Sequence, residues 1–342
     1  MSNPIEIHVG VVGAGYLGEY HIARYLENPA VKSLVICDPD AARRQELRAK
    51  YPRVSADYAG LEELLASEKL HAVSIVTPDH LHRAGAEKCL AAGCHALITK
   101  PLATNLEDAV AIIRCADRHN RHIFVAQETR FRSRFRAVAD LLRSGRLGEI
   151  IHLRVDAISD RRIHFAEAPW YRSAETGRSA IVGTGVHEVD LLRHLIGRPV
   201  TAVSAMSNRL GSLEFPKDKT IAALFQFEGG AIGQVTVTYE ARWPKAGRID
   251  HHIHLVGSKG MVIGNVVSYD GETEWLPLPT DKNEVLAGSQ ACVDAFLETV
   301  LRGVPPAVSG RDALESLEAC VAADRATETG RVVAPAEIAV RV

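Results

Sequence analysis

The chain has 342 residues, of which 24% are charged and 46% hydrophobic, and its formal net charge at pH 7 is -2. This length predicts two soluble domains, and the near-neutral charge with scattered Lys and Arg residues argues against a nucleic-acid partner. The sequence shows neither a membrane-spanning apolar run nor a secretory signal pattern, so we expect a cytoplasmic protein with no membrane partner. Its six cysteines lack paired spacing, which favours reduced, buried thiols.

Short β-branched runs alternate with helical patterns over the first 126 residues. The predicted strands are 5–12, 34–37, 72–76, 96–99 and 123–126, and the predicted helices are 20–27, 41–50, 61–66, 81–92 and 106–119. This alternation predicts an α/β, Rossmann-type, doubly wound parallel sheet as a domain covering residues 1–126. Ligands of such sheets bind beyond the carboxyl ends of the strands.

A glycine-rich turn follows the first predicted strand and precedes a helix. Gly13, Gly15 and Gly18 stand in the order G-x-G-x-x-G, with Tyr16 and Leu17 between the last two. Such glycines permit a tight turn, approach of the backbone to a pyrophosphate, and close helix–strand packing. Together with the flanking strand and helix they predict a dinucleotide site; the alternative is a glycine-rich turn in an unrelated α/β domain.

The preferred cofactor is predicted from Asp38, which ends the second strand 20 residues beyond Gly18. An acidic residue at this spacing accepts hydrogen bonds from the adenosine ribose and repels a 2′-phosphate. Arg43 and Arg44 lie in the following helix and need not reach the ribose. We therefore predict NAD in preference to NADP.

The pattern changes at residue 127, and residues 127–342 are predicted to form a substrate-binding and oligomerisation domain. Predicted helices are 132–143, 186–196, 290–301 and 312–329, predicted strands are 150–158, 201–208, 220–227, 231–240 and 252–256, and the polar segment 159–179 is predicted as a loop over a cleft. These elements predict an α+β domain with a mostly antiparallel open sheet. Both alternating faces of 221–225 are apolar, which predicts helices on one face and a partner subunit, in a homo-oligomeric dimer or tetramer, on the other.

Two side chains are candidates for catalysis. Lys100 ends a strand at the ligand-binding edge, where we expect it to contact the cofactor and to stabilise charge developing on a substrate oxygen; the alternative is a solvated lysine. His187 follows two glycines near a helix start and has a side chain suited to proton transfer; the alternative is a structural histidine. Asp190, one turn later, either orients the imidazole or serves the helix electrostatically.

These residues resemble those of the glucose-fructose oxidoreductase, inositol dehydrogenase and rhizopine-catabolism (Gfo/Idh/MocA) family of NAD(P)-dependent oxidoreductases. The resemblance covers nearly the whole chain and is carried by the segments GAGYLG at 13–18, TPDHLH at 77–82, AGCH at 92–95, KPLA at 100–103, GRLGEI at 145–150, HEVDLL at 187–192 and GSKG at 257–260. It implies that Lys100 is the lysine of E-K-P and His187 the catalytic histidine of D-x-G-x-H. It also places Pro78 and His82 at the nicotinamide end of the cofactor site. Thr77 is expected to contact the cofactor as well, and Thr77 and Asp79 are alternatively caps of the helix that follows.

The chain departs from the family pattern at two positions. Thr99 stands where the family has the glutamate of E-K-P, and Gly183 stands where it has the aspartate of D-x-G-x-H. The proton relay must therefore differ, and a substitute acid or hydroxyl is expected from Asp160, Glu167 or Tyr171, which the sequence does not rank.

A further group of side chains is expected to contact substrate. Its members are Lys100, His187, Arg130, Asp160, Arg162, Tyr171 and Thr184. Arg130, Arg161, Arg162 and Arg172 are each able to grip an anionic substrate group, although exposed arginines without such a role are common. No metal site is expected, because His251, His252 and His254 alternate across a strand.

The sequence thus predicts an NAD(P)-dependent enzyme that moves hydride between nicotinamide and a secondary alcohol of a sugar, cyclitol or related polyol. One alternative is a lyase or hydrolase that reduces and reoxidises its NAD within each turnover. Another is a dinucleotide-sensing regulator without activity, although the retention of Lys100 and His187 argues against it.

Overall fold

The computed structural model describes residues 6–176, 178–244, 247 and 249–342. Ile5, where the first strand was expected to begin, lies outside the described residues. Within them, no helix combines the length and apolar character that a bilayer crossing requires. All six cysteines are buried and free, as the sequence predicted.

The first part of the chain forms a six-stranded parallel sheet. Its elements are β1 (Ile7–Val12), α1 (Tyr16–Glu27), β2 (Val31–Cys37), α2 (Ala41–Lys50), β3 (Val54–Tyr58), α3 (Leu61–Ser67), β4 (Ala72–Ile75), α4 (His82–Ala91), β5 (His95–Thr99), α5 (Leu106–His119) and β6 (Ile123–Ala126). The strand order is β3-β2-β1-β4-β5-β6, and all neighbours run parallel. This order places a topological switch point between β1 and β4, which is where doubly wound sheets bind dinucleotides. The predicted fold is confirmed.

One strand of this sheet was missed by the sequence analysis. β3 lies at the edge, and only its first residue, Val54, is fully buried. A strand with one neighbour and a half-exposed face needs few apolar residues, so its hydrophobic pattern is weak. The most regular predictions, α2, α5 and β6, have the expected bounds.

The rest of the chain forms an eight-stranded mixed sheet with helices. Its elements are α6 (Ser133–Arg143), β7 (Ile150–Ser159), α7 (Arg162–Glu167), α8 (Val186–Ile196), β8 (Val200–Asn208), β9 (Thr220–Phe227), β10 (Ile232–Thr238), β11 (Ile249–Gly257), β12 (Gly260–Ile263), β13 (Val266–Tyr269), β14 (Leu276–Pro277), α9 (Glu284–Arg302) and α10 (Gly310–Thr329). The strand order is β14-β13-β12-β11-β7-β10-β9-β8, antiparallel except between β7 and β10. The mostly antiparallel second sheet is thus confirmed.

Three parts of this region differ from the sequence prediction, and the first is the group of short strands β12, β13 and β14, which was not predicted. The segment predicted as a loop contains the short helix α7, with Phe165 as its buried anchor. Helix α9 begins six residues earlier than predicted, at Glu284, because the Asn283 side chain caps it by accepting a hydrogen bond from the amide of Leu286.

Two cores hold the elements together. One face of the mixed sheet packs against α8 and α10. Helix α9 returns to the parallel sheet, where Phe296 and Leu297 join the core formed by β1, β2 and α1. The bidentate ion pair between Arg24 of α1 and Asp294 of α9 reinforces this contact. The second half of the chain is thereby attached to α1, the helix that follows the glycine-rich turn.

Candidate active site

The glycine-rich turn has the geometry of a phosphate cradle. Gly13 has φ +89°, and a Cβ there would lie 2.5 Å from the carbonyl oxygen of Val76, so only glycine fits. A Cβ on Gly18 would collide with the carbonyl oxygen of Gly13. Gly15 instead faces open space and begins α1 without a side-chain cap. The uncapped amides at the start of a 12-residue helix, beside a turn free of side chains, fit a pyrophosphate.

Asp38 lies beside this turn at the end of β2. Its Oδ2 accepts a hydrogen bond from the amide of Ala14 at 2.7 Å, and its Oδ1 accepts one from the amide of Asp40 at 2.9 Å. These bonds hold the carboxylate next to the turn and leave lone pairs on both oxygens. The position fits hydrogen bonding to ribose hydroxyls.

Two arginines follow Asp38, and both are engaged with the protein. Arg43 reaches the glycine-rich turn, where its Nε donates to the carbonyl oxygen of Ala14 at 2.8 Å while its terminal nitrogens pair with Glu19 and Glu46. Arg44 pairs with Asp57 and donates to the carbonyl oxygen of Asp38. Arg43 thus comes closer to the cofactor region than its place in a helix suggested, but its charge is already balanced.

The remaining predicted cofactor residues in the turn and after β4 differ in accessibility. Tyr16 is 67% exposed and Leu17 is partly buried, both at the start of α1. Thr77 and Pro78 are partly buried at the carboxyl end of β4, and Thr77 Oγ1 is buried without a hydrogen-bond partner in the described structure. An unpaired buried hydroxyl at this strand end fits a ligand contact.

His82 lies between the loops that follow β4 and β5, next to Thr77 and Pro101. Its side chain is fully buried, and its two ring nitrogens lie 2.9 Å from the carbonyl oxygen of Pro101 and 3.1 Å from that of Thr77. Burial lowers the pKa of His82. The imidazole therefore connects the loop after β4 to the loop after β5 and helps to position Thr77 and Lys100. Both of its ring nitrogens already lie within hydrogen-bond distance of backbone carbonyl oxygens.

Lys100 leaves the parallel sheet at the end of β5, where a cis peptide bond joins it to Pro101. Its Nζ donates a hydrogen bond to the carbonyl oxygen of Gly183 at 2.9 Å. Burial, together with the positive charges of Arg178 and Arg161, lowers the pKa of the Lys100 ammonium to about 8. Lys100 therefore connects the end of the parallel sheet to the segment that carries His187.

His187 lies in the first turn of α8, after a π-helical turn over Ile181–Gly185. Its Nε2 is 4.0 Å from Oε1 of Glu128, and its Nδ1 is buried without a partner in the described part of the chain. Burial, followed by the positive charges of Lys100 and Arg132, holds the pKa of His187 well below its ordinary value. A neutral imidazole with a free ring nitrogen is suited to accept a proton.

Asp190 does not contact the imidazole of His187. Both of its oxygens accept hydrogen bonds at 2.6 Å from Arg130, and Oδ1 also accepts one from Ser316 at 3.0 Å. Arg130 pairs in addition with Asp312 at 2.8 Å. The expected substrate contact of Arg130 and the expected orienting contact of Asp190 are therefore replaced by a buried network that joins α8 to α10.

The two departures from the family pattern have separate structural consequences. Thr99 donates from Oγ1 to the carbonyl oxygen of Ile75 at 3.2 Å. A Cβ at Gly183 would lie 3.2 Å from the guanidinium of Arg178, which forms a buried ion pair with Asp79. Arg178 therefore occupies the space beside residue 183, where the family pattern has a carboxylate. Asp79 was considered as a cap for the following helix, but its carboxylate pairs with this arginine instead.

The three groups expected from the 159–179 segment as substitutes for the missing acid have different surroundings. Asp160 forms an ion pair with Arg162 at 2.5 Å, and Glu167 is exposed. Tyr171 stacks on Trp170 with ring centroids 3.9 Å apart, and the guanidinium carbon of Arg178 lies 4.3 Å from the centroid of the Tyr171 ring. Asp160 is thus neutralised by Arg162, and Tyr171 is the candidate that lies next to the arginine beside Gly183.

Thr184 is buried in the turn beside Gly183. Its Oγ1 accepts a hydrogen bond from Nη2 of Arg161 at 2.7 Å and lies 3.1 Å from the hydroxyl of Tyr239. The sequence analysis predicted that Thr184 contacts substrate. In the structure, Thr184 directly follows Gly183, which accepts the hydrogen bond of Lys100, and its own hydroxyl binds Arg161.

Glu128, Asp79 and Arg178 complete the charge environment of Lys100, and sequence reasoning assigned none of them a role there. Glu128 and Asp79 both raise the pKa of Lys100, which opposes the larger effect of burial. Both carboxylates follow strands that end at this edge of the sheet, and that position was the available signal. Arg178 gives no local signal, because its partner is 99 residues away.

Comparisons with known proteins identify the family and relatives of this chain. Residues 7–127 match a family model described as an oxidoreductase family with an NAD-binding Rossmann fold, and residues 135–263 match a GFO/IDH/MocA C-terminal domain. An inositol 2-dehydrogenase of Leifsonia xyli is 29% identical over 71% of this chain and 69% of its own. A D-apiose dehydrogenase of Paraburkholderia graminis is 25% identical over 94% of this chain and 88% of its own.

A solved structure shows the same fold over almost the whole length. It is an oxidoreductase from Agrobacterium radiobacter in complex with NAD+, L-tartaric acid and magnesium, with a TM-score of 0.89 and 21% identity, covering 97% of this chain and 99% of that one.

Proposed function

The chain belongs to the GFO/IDH/MocA family of NAD-binding oxidoreductases, and we propose that it is an NAD-dependent dehydrogenase of a sugar, cyclitol or related polyol derivative. The observation that carries the proposal is the hydrogen bond from Lys100 Nζ to the carbonyl oxygen of Gly183, four residues before His187. This bond brings a cation at the end of a parallel strand together with a neutral imidazole. The relatives of this chain include dehydrogenases of inositol and D-apiose, which supports a sugar, cyclitol or related polyol as the substrate class.

In the proposed reaction, different residues hold the cofactor, stabilise the substrate oxygen and accept its proton. The glycine-rich turn and Asp38 would hold the dinucleotide, and bound nicotinamide supplies the hydride acceptor at C4. Lys100 donates a hydrogen bond to the substrate oxygen and stabilises the negative charge that develops there. His187 accepts the hydroxyl proton at Nδ1, and Glu128 stabilises the resulting positive charge from 4.0 Å. The alcohol carbon loses a hydride, the oxygen loses a proton, and a carbonyl group remains.

Absorbance at 340 nm tests this proposal across a panel of sugars, cyclitols and polyol acids, with NAD and then NADP. We expect a substrate-dependent increase with at least one alcohol. Tight dinucleotide binding without any absorbance change would contradict net dehydrogenase activity and would favour an internally recycled cofactor or a sensor.

We predict that the wild-type enzyme prefers NAD, because Asp38 opposes a ribose phosphate and the charges of Arg43 and Arg44 are balanced. Asp38→Asn should lower kcat/KM for NAD by about 10- to 100-fold, since a hydrogen bond to a charged acceptor is lost. Asp40→Asn is the matched control, because it removes an exposed charge two residues away. Steady-state kinetics with both cofactors measure the effect, and a wild-type preference for NADP would contradict the prediction.

The rate of alcohol oxidation should depend on pH through Lys100. Its ammonium is charged below a pKa of about 8 and neutral above it, so stabilisation of the substrate oxygen is present at lower pH and disappears as pH rises. The lowered pKa of His187 keeps this base neutral around pH 7. We expect kcat/KM to stay flat near neutrality and to fall with one-proton dependence above about pH 8.

Glu128→Gln should move this alkaline decline to lower pH, because the Glu128 carboxylate raises the pKa of Lys100. A rate that instead increases through pH 8 would show that neutral Lys100 is the base. A decline on the acid side near the ordinary histidine pKa of about 6.5 would show that His187 titrates normally.

We also propose that the outer face of the mixed sheet joins two copies of the chain. Met206, Leu224 and Ile232 are 83%, 49% and 47% exposed and share this face, while the opposite side chains of β9 are buried. Met206→Glu with Leu224→Glu should convert a wild-type dimer to a monomer, or a wild-type tetramer to a dimer, with unchanged circular dichroism. Light scattering measures the mass, and a wild-type monomer of 37.2 kDa would contradict the proposal.

A further inference from the structure

Arg161 is a buried arginine without a carboxylate partner. Arg161 lies two residues after the end of β7, and only 8% of the residue is exposed. In the described structure, no acidic side chain forms an ion pair with it. Its Nε is buried and has no hydrogen-bond acceptor in the same residues. A buried guanidinium without a counter-ion costs stability, so such a group is usually retained for a ligand.

Two neighbours fix the orientation of Arg161. Its Nη2 donates to Oγ1 of Thr184 at 2.7 Å, and its guanidinium lies over the Tyr239 ring, 5.4 Å from the centroid. Thr184 directly follows Gly183, whose carbonyl oxygen binds Lys100. Arg161 and Lys100 are therefore attached to adjacent residues of the turn that leads to His187.

The other arginines around the site already have acidic partners. Arg178 pairs with Asp79, Arg132 with Glu128 and Glu284, Arg130 with Asp190 and Asp312, and Arg162 with Asp160. The positive charge of Arg161 is not balanced in this way, and it contributes to lowering the pKa of both Lys100 and His187. Of the four arginines that the sequence offered for anion binding, Arg130 and Arg162 are paired and Arg172 is exposed, so Arg161 is the buried one without an acidic partner in the described structure.

We propose that Arg161 binds a carboxylate of the substrate, so that the enzyme oxidises polyol acids such as aldonates or uronates in preference to neutral sugars. This inference rests on the proposed dehydrogenase function and specifies its substrate class. A guanidinium donates paired hydrogen bonds to a carboxylate, and the negative charge of that carboxylate would balance the positive charge of Arg161. The carboxylate would be held beside the turn that binds Lys100, which leaves a hydroxyl group of the same molecule for Lys100 and His187.

Matched substrates test the inference. NADH formation is measured with D-gluconate against sorbitol and with D-glucuronate against D-glucose, for the wild type, Arg161→Met and Arg161→Lys. We expect the wild type to favour an acid by about 100-fold or more in kcat/KM, since the unpaired guanidinium penalises a neutral ligand. Arg161→Met should lose most of that preference through a lower kcat/KM for the acids, and Arg161→Lys should keep part of it. Arg154→Met, on the same strand and paired with Asp156, is the control.

Thermal unfolding gives a readout that does not depend on turnover. Without ligand, Arg161→Met should unfold at the same temperature as the wild type or higher, because a buried unbalanced charge is removed. With NADH present, gluconate should raise the unfolding temperature of the wild type but not of Arg161→Met, and sorbitol should affect neither.

The outcomes separate the two proposals. NADH formation with neutral and acidic substrates at equal efficiency would support the dehydrogenase function and overturn the carboxylate site. A preference for a sugar phosphate over every acid would also overturn it. Stabilisation by gluconate through Arg161 without any NADH formation would support the carboxylate site while contradicting the dehydrogenase function.

Discussion

Replacing Lys100 by methionine should lower kcat/KM for alcohol oxidation by about 10³-fold, because one preorganised donor to the reacting oxygen is lost. Methionine has a similar length, and it removes an ammonium whose burial already disfavours the charged form. The fold and the dissociation constant for NAD should therefore stay near wild-type values. Steady-state kinetics and titration of dinucleotide binding measure the two effects separately.

The control for this variant is Lys32→Met, since Lys32 lies on the same parallel sheet but its side chain is 61% exposed. It should leave kcat/KM within about twofold, as expected for a surface change. Lys100→Arg keeps the positive charge but changes the position of the donors, and it should not restore the rate. Wild-type turnover by Lys100→Met would show that the Lys100–Gly183 contact is only structural.

Replacing His187 by asparagine should lower kcat by about 10²- to 10⁴-fold, the range for loss of a positioned general base. Asparagine retains hydrogen-bonding groups but does not accept the alcohol proton. Because the imidazole is buried and neutral in the wild type, the loss should appear throughout the neutral pH range. Stopped-flow measurement of the first turnover separates this chemical step from product release.

His194→Asn is the matched control, because His194 lies on the same helix two turns later and is exposed. It should not change the first-turnover rate. If Lys100 and His187 act on the same oxygen, the double variant should lose much less than the product of the two separate losses. Fully multiplicative losses would show that the two residues act independently.

The replacement of two family acids by Thr99 and Gly183 changes the electrostatics around these residues. Arg178 occupies the space beside Gly183, and Asp79 balances its charge. Glu128 then provides a carboxylate beside His187, with its Oε1 4.0 Å from Nε2 of the imidazole. The chain thus retains an acid near the imidazole, but it comes from the end of the parallel sheet and not from the turn before the histidine.

Features encoded by contiguous residues were predictable from the sequence. The glycine-rich turn, Asp38 and Lys100 each follow a buried strand, and parallel strands place their carboxyl ends on one edge. The start of α8 at Val186 was also predictable, because apolar residues repeat at helical spacing after two glycines.

Features that depend on distant residues were not predictable in this way. Arg130 and Asp190 are 60 residues apart, and only the packed structure shows that they neutralise each other. The same holds for Arg178 and Asp79, 99 residues apart. Whether an arginine is paired decides whether it is available to a substrate, so the sequence alone did not separate Arg161 from its neighbours.

Transfer of deuterium from the substrate carbinol carbon to the nicotinamide tests the central claim most directly. With a substrate found in the absorbance screen and labelled at that carbon, mass spectrometry follows the label in the dinucleotide and in the product. The proposed function predicts one deuterium in each released NADH and one ketone per NADH, with the rate of both falling about 10³-fold in Lys100→Met. Product formation with the dinucleotide still oxidised and unlabelled at the end would contradict it.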